Sequence, residues 1–164
     1  MIFATVGTQL PFDRLLGALD SWAGGQHRTS VFAQTGRSGS DFHNLECTPF
    51  MAPSMFRDAV ERARVIVGHA GMGTILTAAE LGKPVIIMPR RAAFGEHRND
   101  HQLATASEMR KLPNVLVAED ETQLSEALGL AMSETSGHGG CISPYASPDL
   151  LSAVSDFIRG GHVE

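Results

Sequence analysis

The residues best suited to chemistry lie in a glycine-rich turn between a run of apolar residues and a predicted helix. The turn follows residues 65–68 and contains, in order, His69, Ala70, Gly71, Met72, Gly73 and Thr74. Glycines let a phosphate approach the backbone, and a helix N-terminus supplies free N–H groups and the positive end of a dipole. The Thr74 hydroxyl adds a donor. The pattern indicates an anion site, with a diphosphate as the obvious ligand, although a tight strand-to-helix turn without a ligand remains the alternative.

His69 stands at the end of the apolar run, immediately before the turn. Its ring can donate a hydrogen bond to a phosphate oxygen or a sugar hydroxyl, so we expect it to act in catalysis. A histidine that is merely satisfied within the core is the alternative. Two other phosphate-binding motifs are missing. The sequence has no Gly-Lys-Ser/Thr ending of a P-loop and no Gly-x-Gly-x-x-Gly after its first apolar run.

A second polar cluster follows the next apolar run. Asp100, His101 and Gln102 offer both donors and acceptors, as recognition of sugar hydroxyls demands. His97 and His101 are four residues apart, a spacing found in zinc ligands on helices. No Glu follows His97 in the pattern of a zinc protease and no third ligand is evident, so we predict no metal site. A polar helix cap without a ligand remains the alternative.

Gly7, Thr8 and Gln9 follow the first apolar run and form a candidate rim of the same cleft. Their alternative is an ordinary turn into a helix started by Pro11, since proline is favoured in a first helical turn. Signs of a hydrolase are missing from the sequence, which has neither a Gly-x-Ser-x-Gly elbow nor a carboxylate pair.

Alternating strand and helix patterns must position these residues. Continuous apolar runs at 64–68 and 84–88 indicate strands buried on both faces, as in the middle of a parallel sheet. Further strands are predicted at 1–6, 29–34, 45–50 and 114–118. Helices are predicted from the region of Phe12 to Gly24, from Ser54 as the cap, between the glycine turn and Gly82, and at 97–111, 121–133 and 148–159. The alternation predicts an α/β fold with a Rossmann-like doubly wound parallel sheet, in which ligands bind beyond the carboxyl ends of the strands.

Size and composition fit one domain over residues 1–164, with a flexible loop near 135–147. The net charge of −5 argues against a nucleic-acid surface. No apolar run approaches the ~20 residues that span a bilayer, and the start lacks the basic segment of a signal peptide. Cys47 and Cys141 make neither a disulfide framework nor a metal spacing, which suits buried or inert thiols in a reducing cytoplasm.

The turn that begins at His69 resembles the donor-site motif of the GT-B glycosyltransferases, and most nearly the family-28 C-terminal domain, which binds nucleotide sugars. Residues 3–9 and 11–15 resemble a narrower group. That group comprises bacterial exopolysaccharide transferase subunits and the small donor-binding subunit of the eukaryotic UDP-GlcNAc transferase that extends dolichol-linked chitobiose. Residues 82–84 and 97–102 are similar to the bacterial members, and the likeness covers most of residues 1–125.

The resemblance implies a single GT-B C-terminal-type domain that uses a UDP-sugar as donor substrate and no cofactor. His69 and the glycine turn would approach the diphosphate, and the cluster at 100–102 the sugar. Many GT-B enzymes carry an acidic residue eight positions after the motif histidine to hold the ribose hydroxyls. Here that residue is Thr77, and Glu80 one turn later can compensate. The expected donor-binding residues are Gly7, Thr8, Gln9, Gly71, Met72, Gly73, Thr74, Thr77, Glu80, Asp100, His101 and Gln102.

A full GT-B enzyme has two Rossmann-like domains, and this chain begins directly at the donor domain. The resemblance therefore implies a membrane-associated partner subunit that supplies the general base and the site for a lipid-linked sugar acceptor. We expect a cytoplasmic chain recruited by that partner to the inner face of the membrane, acting in an inverting transfer for exopolysaccharide or capsule biosynthesis. The alternatives are a non-catalytic nucleotide-sugar-binding regulatory module and a GT-B epimerase, which would need both domains in one chain.

Overall fold

A computed structural model describes residues 1–26, 29–133 and 148–158. The loop predicted near 135–147, with Cys141, lies outside the described residues. The strands are β1 (Ile2–Thr5), β2 (Val31–Gln34), β3 (Glu46–Thr48), β4 (Val65–His69), β5 (Val85–Met88) and β6 (Val115–Val117). The helices are α1 (Asp13–Gly24), α2 (Pro53–Arg62), α3 (Met72–Glu80), α4 (His101–Met109), α5 (Glu121–Ser133) and α6 (Pro148–Ile158), with a 3₁₀ turn at Ala92–Phe94.

All the described strands form one parallel sheet in the order β3-β2-β1-β4-β5-β6. At its centre Thr5 of β1 lies opposite Gln34 of β2 on one side and Gly68 of β4 on the other. The chain winds outward from β1 to β3 and then outward the other way from β4 to β6. The loops that leave β1 and β4 therefore diverge, which creates the crevice where doubly wound sheets bind ligands. This order confirms the predicted Rossmann-like fold class.

Apolar side chains cover both faces of the sheet. On one face α1 and α5 pack over the strands through Leu15, Leu16, Leu19, Leu124 and Leu128. On the other face the buried side chains come from α2, α3 and α4, and include Val60, Ile75 and Ala106. The strands β1 and β5 are buried throughout. Burial on both faces explains why their sequences are continuously apolar.

Two predicted helix starts were wrong. The first helix is not one of them, since it begins at Asp13 with Phe12 as its N-cap and ends at Gly24, close to its predicted span. In α2 the N-cap is Ala52 rather than Ser54, because Pro53 takes the first position, where its missing N–H costs nothing. The start of α4 moves from residue 97 to 101, since a left-handed Gly95 ends the 3₁₀ turn and residues 96–100 remain irregular.

Cys47 is exposed on the edge strand β3, so of the two expectations, a buried thiol or an inert one, burial does not apply to this residue. Partial burial and the carboxylate of Asp20 raise the pKa of the Cys47 thiol. The reactive thiolate is therefore disfavoured. None of the helices in the described part of the chain is long and apolar enough to cross a membrane.

Leu128→Ala is expected to lower the free energy of unfolding by about 2–5 kcal/mol, because it removes a fully buried side chain from the core between α5 and the sheet. The matched control on the same helix is Leu130→Ala, whose side chain is 58% exposed and whose loss should change stability by less than about 0.5 kcal/mol. Urea unfolding of the two variants tests this. Equal destabilisation would contradict the packing described for α5.

Candidate functional site

A cleft of about 380 Å³ opens beyond the carboxyl ends of β1, β4 and β5. Small-molecule sites span roughly 300–1,000 Å³. The structure brings most of the predicted site residues together in this cleft, namely Gly7, Thr8, Gln9, His69, Gly71, Met72, Gly73, Thr74, His101 and Gln102. Side chains that were not expected there also line it, among them Arg90, Glu96, His97 and Thr105.

The remaining predicted residues, Thr77, Glu80 and Asp100, lie outside the lining of the cleft. The Thr77 hydroxyl donates to the Gly73 carbonyl at 2.9 Å, and the Glu80 carboxylate lies 4.0 Å from the guanidinium of Arg57 on α2. Both residues come after the first turn of α3. Because each residue of a helix adds about 1.5 Å along its axis, they lie farther along the helix than the residues that line the cleft. Asp100 turns toward its own loop, where Oδ1 accepts the N–H of Ala92 at 2.8 Å.

The imidazole of His69 fills the space between the loops that leave β1 and β4. A Cβ on Gly7 would lie 2.9 Å from His69 Cε1, and a Cβ on Gly71 would overlap the same ring. Gly7 also has a φ of +75°, which favours glycine. A Cβ on Gly73, in contrast, would meet nothing within 4 Å. Gly7 and Gly71 therefore make room for the His69 ring, a requirement that the sequence pattern did not reveal.

Burial and, to a smaller extent, the positive charge of Arg90 lower the pKa of His69 to about 4. The backbone of Thr5 acts in the opposite direction, and His97 adds a smaller lowering effect. The ring is neutral at pH 7, so one nitrogen donates and the other accepts. Within the described part of the chain, the buried Nδ1 of His69 has no hydrogen-bond partner.

The N-terminus of α3 faces the cleft without a side-chain cap. Gly71 occupies the N-cap in an extended conformation, and its own N–H donates to the His69 carbonyl at 2.7 Å. The N–H groups of Met72, Gly73 and Thr74 lie in the first turn of the helix and therefore have no acceptor within it. These groups and the positive end of the α3 dipole give the cleft the means to bind an anion.

Arg90 is a cleft residue that the sequence reasoning missed. It is only 3% exposed, and its guanidinium lies 4.7 Å from the Phe12 ring centre. Burial lowers the pKa of Arg90, whereas the carboxylate of Glu96 opposes that change. The available signal was its position: a charged residue two places after the buried strand β5 lies at the ligand-binding edge of the sheet.

Glu96 completes a buried ionic group with Arg14. The carboxylate accepts from Arg14 Nε at 2.7 Å and Nη2 at 2.9 Å, and from the N–H of Arg91 at 2.9 Å. Arg14 also donates to the Pro89 carbonyl at 3.0 Å. The group fastens α1 to the loop after β5. Glu96 and Arg14 are 82 positions apart, so the local sequence does not indicate that they pair.

The opposite wall of the cleft is formed by α4 and the irregular segment before it. Gln102 is buried, and its Oε1 accepts the N–H of Arg90 at 3.1 Å. The rings of His97 and His101 meet edge to face with centres 4.5 Å apart, and His101 Nδ1 forms a hydrogen bond with Asn99 Oδ1. Among residues 1–26, 29–133 and 148–158, no group of three or more His, Cys, Asp or Glu could hold a metal ion.

The fold and the cleft together define a Rossmann-like α/β domain with a cleft at the point where its strand order reverses. The chain belongs to the family described as Glycosyltransferase family 28 C-terminal domain, whose sequence model matches residues 1–136. This membership confirms the resemblance to family 28 that the glycine turn indicates. No curated protein was found to match the chain by sequence.

Solved structures share the fold at low sequence identity. A kitacinnamycin glycotransferase has a TM-score of 0.59 at 18% identity, over 97% of this chain and 38% of its own. A UDP-GlcNAc 2-epimerase from Neisseria meningitidis, solved with UDP-GlcNAc bound, has a TM-score of 0.65 at 12% identity, over 98% of this chain and 44% of its own. ALG13, solved by NMR, has a TM-score of 0.55 at 17% identity, over 93% of each chain. The chain thus spans about two fifths of the first two proteins and nearly all of the third.

Gly71→Ala is expected to destabilise the protein by about 1–3 kcal/mol, because the new methyl group overlaps the His69 ring. Gly73→Ala is the matched control in the same turn; it meets open space within a helix and should stabilise by about 0.4–1 kcal/mol. The double variant His69→Ala/Gly71→Ala should lose less stability than the sum of its single changes. If the losses of stability are additive in thermal or urea unfolding, the His69 ring is not the reason for glycine at position 71.

Acid is expected to destabilise the fold through His69. Its pKa of about 4 lies below the ordinary 6.5, so the unfolded chain binds more protons between these values and stability falls as the pH drops through this window. At 1.36 kcal/mol per pKa unit, the loss is on the order of 3 kcal/mol. Urea unfolding of the wild type and His69→Asn at about pH 7 and about pH 4.5 measures it, with His43→Asn as a surface control. An unchanged pH slope in His69→Asn would contradict the assignment.

Proposed function

We propose that this chain is the donor-binding, catalytic subunit of a two-component inverting glycosyltransferase. It would move a sugar from a UDP-sugar to a lipid-linked acceptor in exopolysaccharide or capsule biosynthesis. One observation carries the proposal: the uncapped N-terminus of α3 and the neutral His69 face one cleft at the switch point of the sheet. Membership of the glycosyltransferase family supports sugar transfer. The epimerase of similar fold was solved with UDP-GlcNAc, which supports a UDP-sugar as ligand of such a domain.

Negative charge develops on the leaving UDP as the bond to the sugar breaks. The N–H groups of Met72, Gly73 and Thr74 and the α3 dipole stabilise that charge, and His69 donates one further hydrogen bond to the diphosphate. Because these donors are fixed before the ligand arrives, they cost little reorganisation during the reaction. In this proposal the leaving group requires no metal ion and the transfer uses no cofactor.

The sugar lies against the wall that carries His101 and Gln102, where Asp100 supports the loop from behind. Gly7, Thr8 and Gln9 form the rim on the opposite side. To bind the ribose, Thr77 or Glu80 would have to leave its present contact. Glu80 faces Arg57, and the Thr77 hydroxyl is hydrogen-bonded within α3. The rim after β1 is therefore the simpler place for ribose contacts.

The acceptor site and the general base are assigned to a separate, membrane-associated partner subunit. The chain spans about two fifths of the longer glycotransferase, whereas the match with ALG13 covers 93% of each chain, so one solved protein consists of little more than this fold. The partner would bind the lipid-linked acceptor and bring this cytoplasmic chain to the inner face of the membrane. No role with nucleic acid is proposed.

Calorimetric titration with UDP tests the proposal, with ADP and GDP as competing nucleotides. We expect binding that is selective for UDP and weakened at least about tenfold by His69→Ala or Thr74→Ala, since each removes a donor aimed at the diphosphate. Thr122→Ala on α5 is the matched control, because Thr122 is exposed and lies outside the cleft. Equal binding of UDP, ADP and GDP, or UDP binding that neither cleft substitution weakens, would contradict the proposed donor site.

Co-expression with the product of the adjacent gene then separates transfer from the alternatives. With a radiolabelled UDP-sugar, the pair should label a lipid, and His69→Ala should slow that reaction by about tenfold or more. Selective UDP binding without transfer would indicate a regulatory module instead. Conversion of the UDP-sugar by the chain alone to an isomer would indicate an epimerase.

A further inference from the structure

We propose that Arg90 is a positioning residue for the donor cleft: its guanidinium holds the loop after β1 against the loop after β5, and so fixes the rim at residues 7–10. The identity of the ligand in this proposal rests on the proposed function. The positioning itself does not, because it concerns the arrangement of the protein before any ligand binds.

The geometry shows that the terminal N–H groups of Arg90 are used inside the protein. Nη1 donates to the carbonyls of Pro11 at 2.7 Å and Glu96 at 3.0 Å, and Nη2 donates to those of Val6 at 2.6 Å and Leu10 at 2.8 Å. Each Nη carries two hydrogens, so all four are engaged. Arg90 therefore lines the cleft without offering these groups to a phosphate, and its effect on a ligand must pass through the loops it holds.

The four carbonyls come from two segments that the sheet does not join directly. Three of them surround the rim Gly7, Thr8 and Gln9, and the fourth lies in the loop after β5. Without Arg90 these acceptors would lose their charged donor, and hydrogen bonds to a charged group are stronger than those between neutral groups. Thr8, Gln9 and Leu10 are exposed, so packing restrains them less than it restrains Gly7, which lies against the His69 ring.

The surroundings of Arg90 are built to keep a buried cation. Its guanidinium lies over the Phe12 ring, and the Gln102 side chain accepts its backbone N–H. The nearest carboxylate, Glu96, is held by Arg14 in a two-pronged ion pair. A lysine at position 90 would keep the charge, but its single ammonium has three donors in a different geometry and cannot serve four carbonyls in two loops.

Arg90 also acts on His69. Besides burial, the charges that lower the pKa of His69 come from Arg90 and His97, while the Thr5 backbone opposes them. Displacing the guanidinium should therefore raise the pKa of His69, as loosened packing around the buried ring also would. This electrostatic effect accompanies the positioning role, which rests on the hydrogen bonds.

The test compares Arg90→Lys and Arg90→Met with Arg91→Met as the matched control. Arg91 is the adjacent residue in the chain, and its side chain makes a 3.3 Å hydrogen bond to the Glu119 carbonyl outside the cleft. In Arg90→Lys, NMR order parameters at residues 7–10 should fall from about 0.85 toward 0.6. The His69 titration should move upward in Arg90→Met, and UDP affinity should fall at least about tenfold in both Arg90 variants. Arg91→Met should leave all three unchanged.

If Arg90→Met does not fold, Arg90→Lys alone decides, because it retains the buried charge. A lower melting temperature with unchanged rim order parameters and an unchanged UDP affinity would show that Arg90 only stabilises the fold, and would overturn the proposal. If the wild type does not bind UDP, the proposed function fails, but the rim dynamics of the free protein still test the positioning role.

Discussion

The cleft depends on one steric constraint, the placement of the His69 imidazole between two loops that leave neighbouring parallel strands. The ring occupies the space that side chains at Gly7 and Gly71 would otherwise take. Because Gly71 is also the N-cap of α3, the same contact sets where that helix begins and where its free N–H groups point. Burial keeps the ring neutral, so it can offer a hydrogen bond without adding charge to the crevice. The glycines at positions 7 and 71 and the start of α3 thus follow from the packing of one ring.

The charges near the cleft serve the architecture. Arg14, Glu96 and Arg90 would each be costly to bury alone. Arg14 pairs with the Glu96 carboxylate, and Arg90 donates to the carbonyls of two loops. In the proposed donor site, anion binding is left to backbone N–H groups, a helix dipole and the neutral His69 ring. The backbone donors are fixed by the helix itself, whereas a lysine side chain must lose rotamer freedom to make the same contact.

Much of the fold could be predicted from local pattern. The buried strands appear as continuous apolar runs because parallel strands have no solvent-facing side, and α5 occupies the predicted span, Glu121–Ser133. The errors lie at helix starts, where several residues can cap a helix and only the neighbouring chain decides between them. At α4 the left-handed Gly95 and the Asp100–Ala92 hydrogen bond delay the helix by about one turn.

The sequence by itself determined the fold class, the family and the turn that opens α3, because apolar periodicity, glycine spacing and the order of elements are local properties of a chain. Only the tertiary structure decided which polar groups face the cleft. Arg90 donates to the Val6 carbonyl across 84 positions of sequence, and Glu80, close to the motif in sequence, faces α2 instead. Side-chain partners are set by which strand ends meet at the sheet edge, and strand order in space is not written in any local pattern.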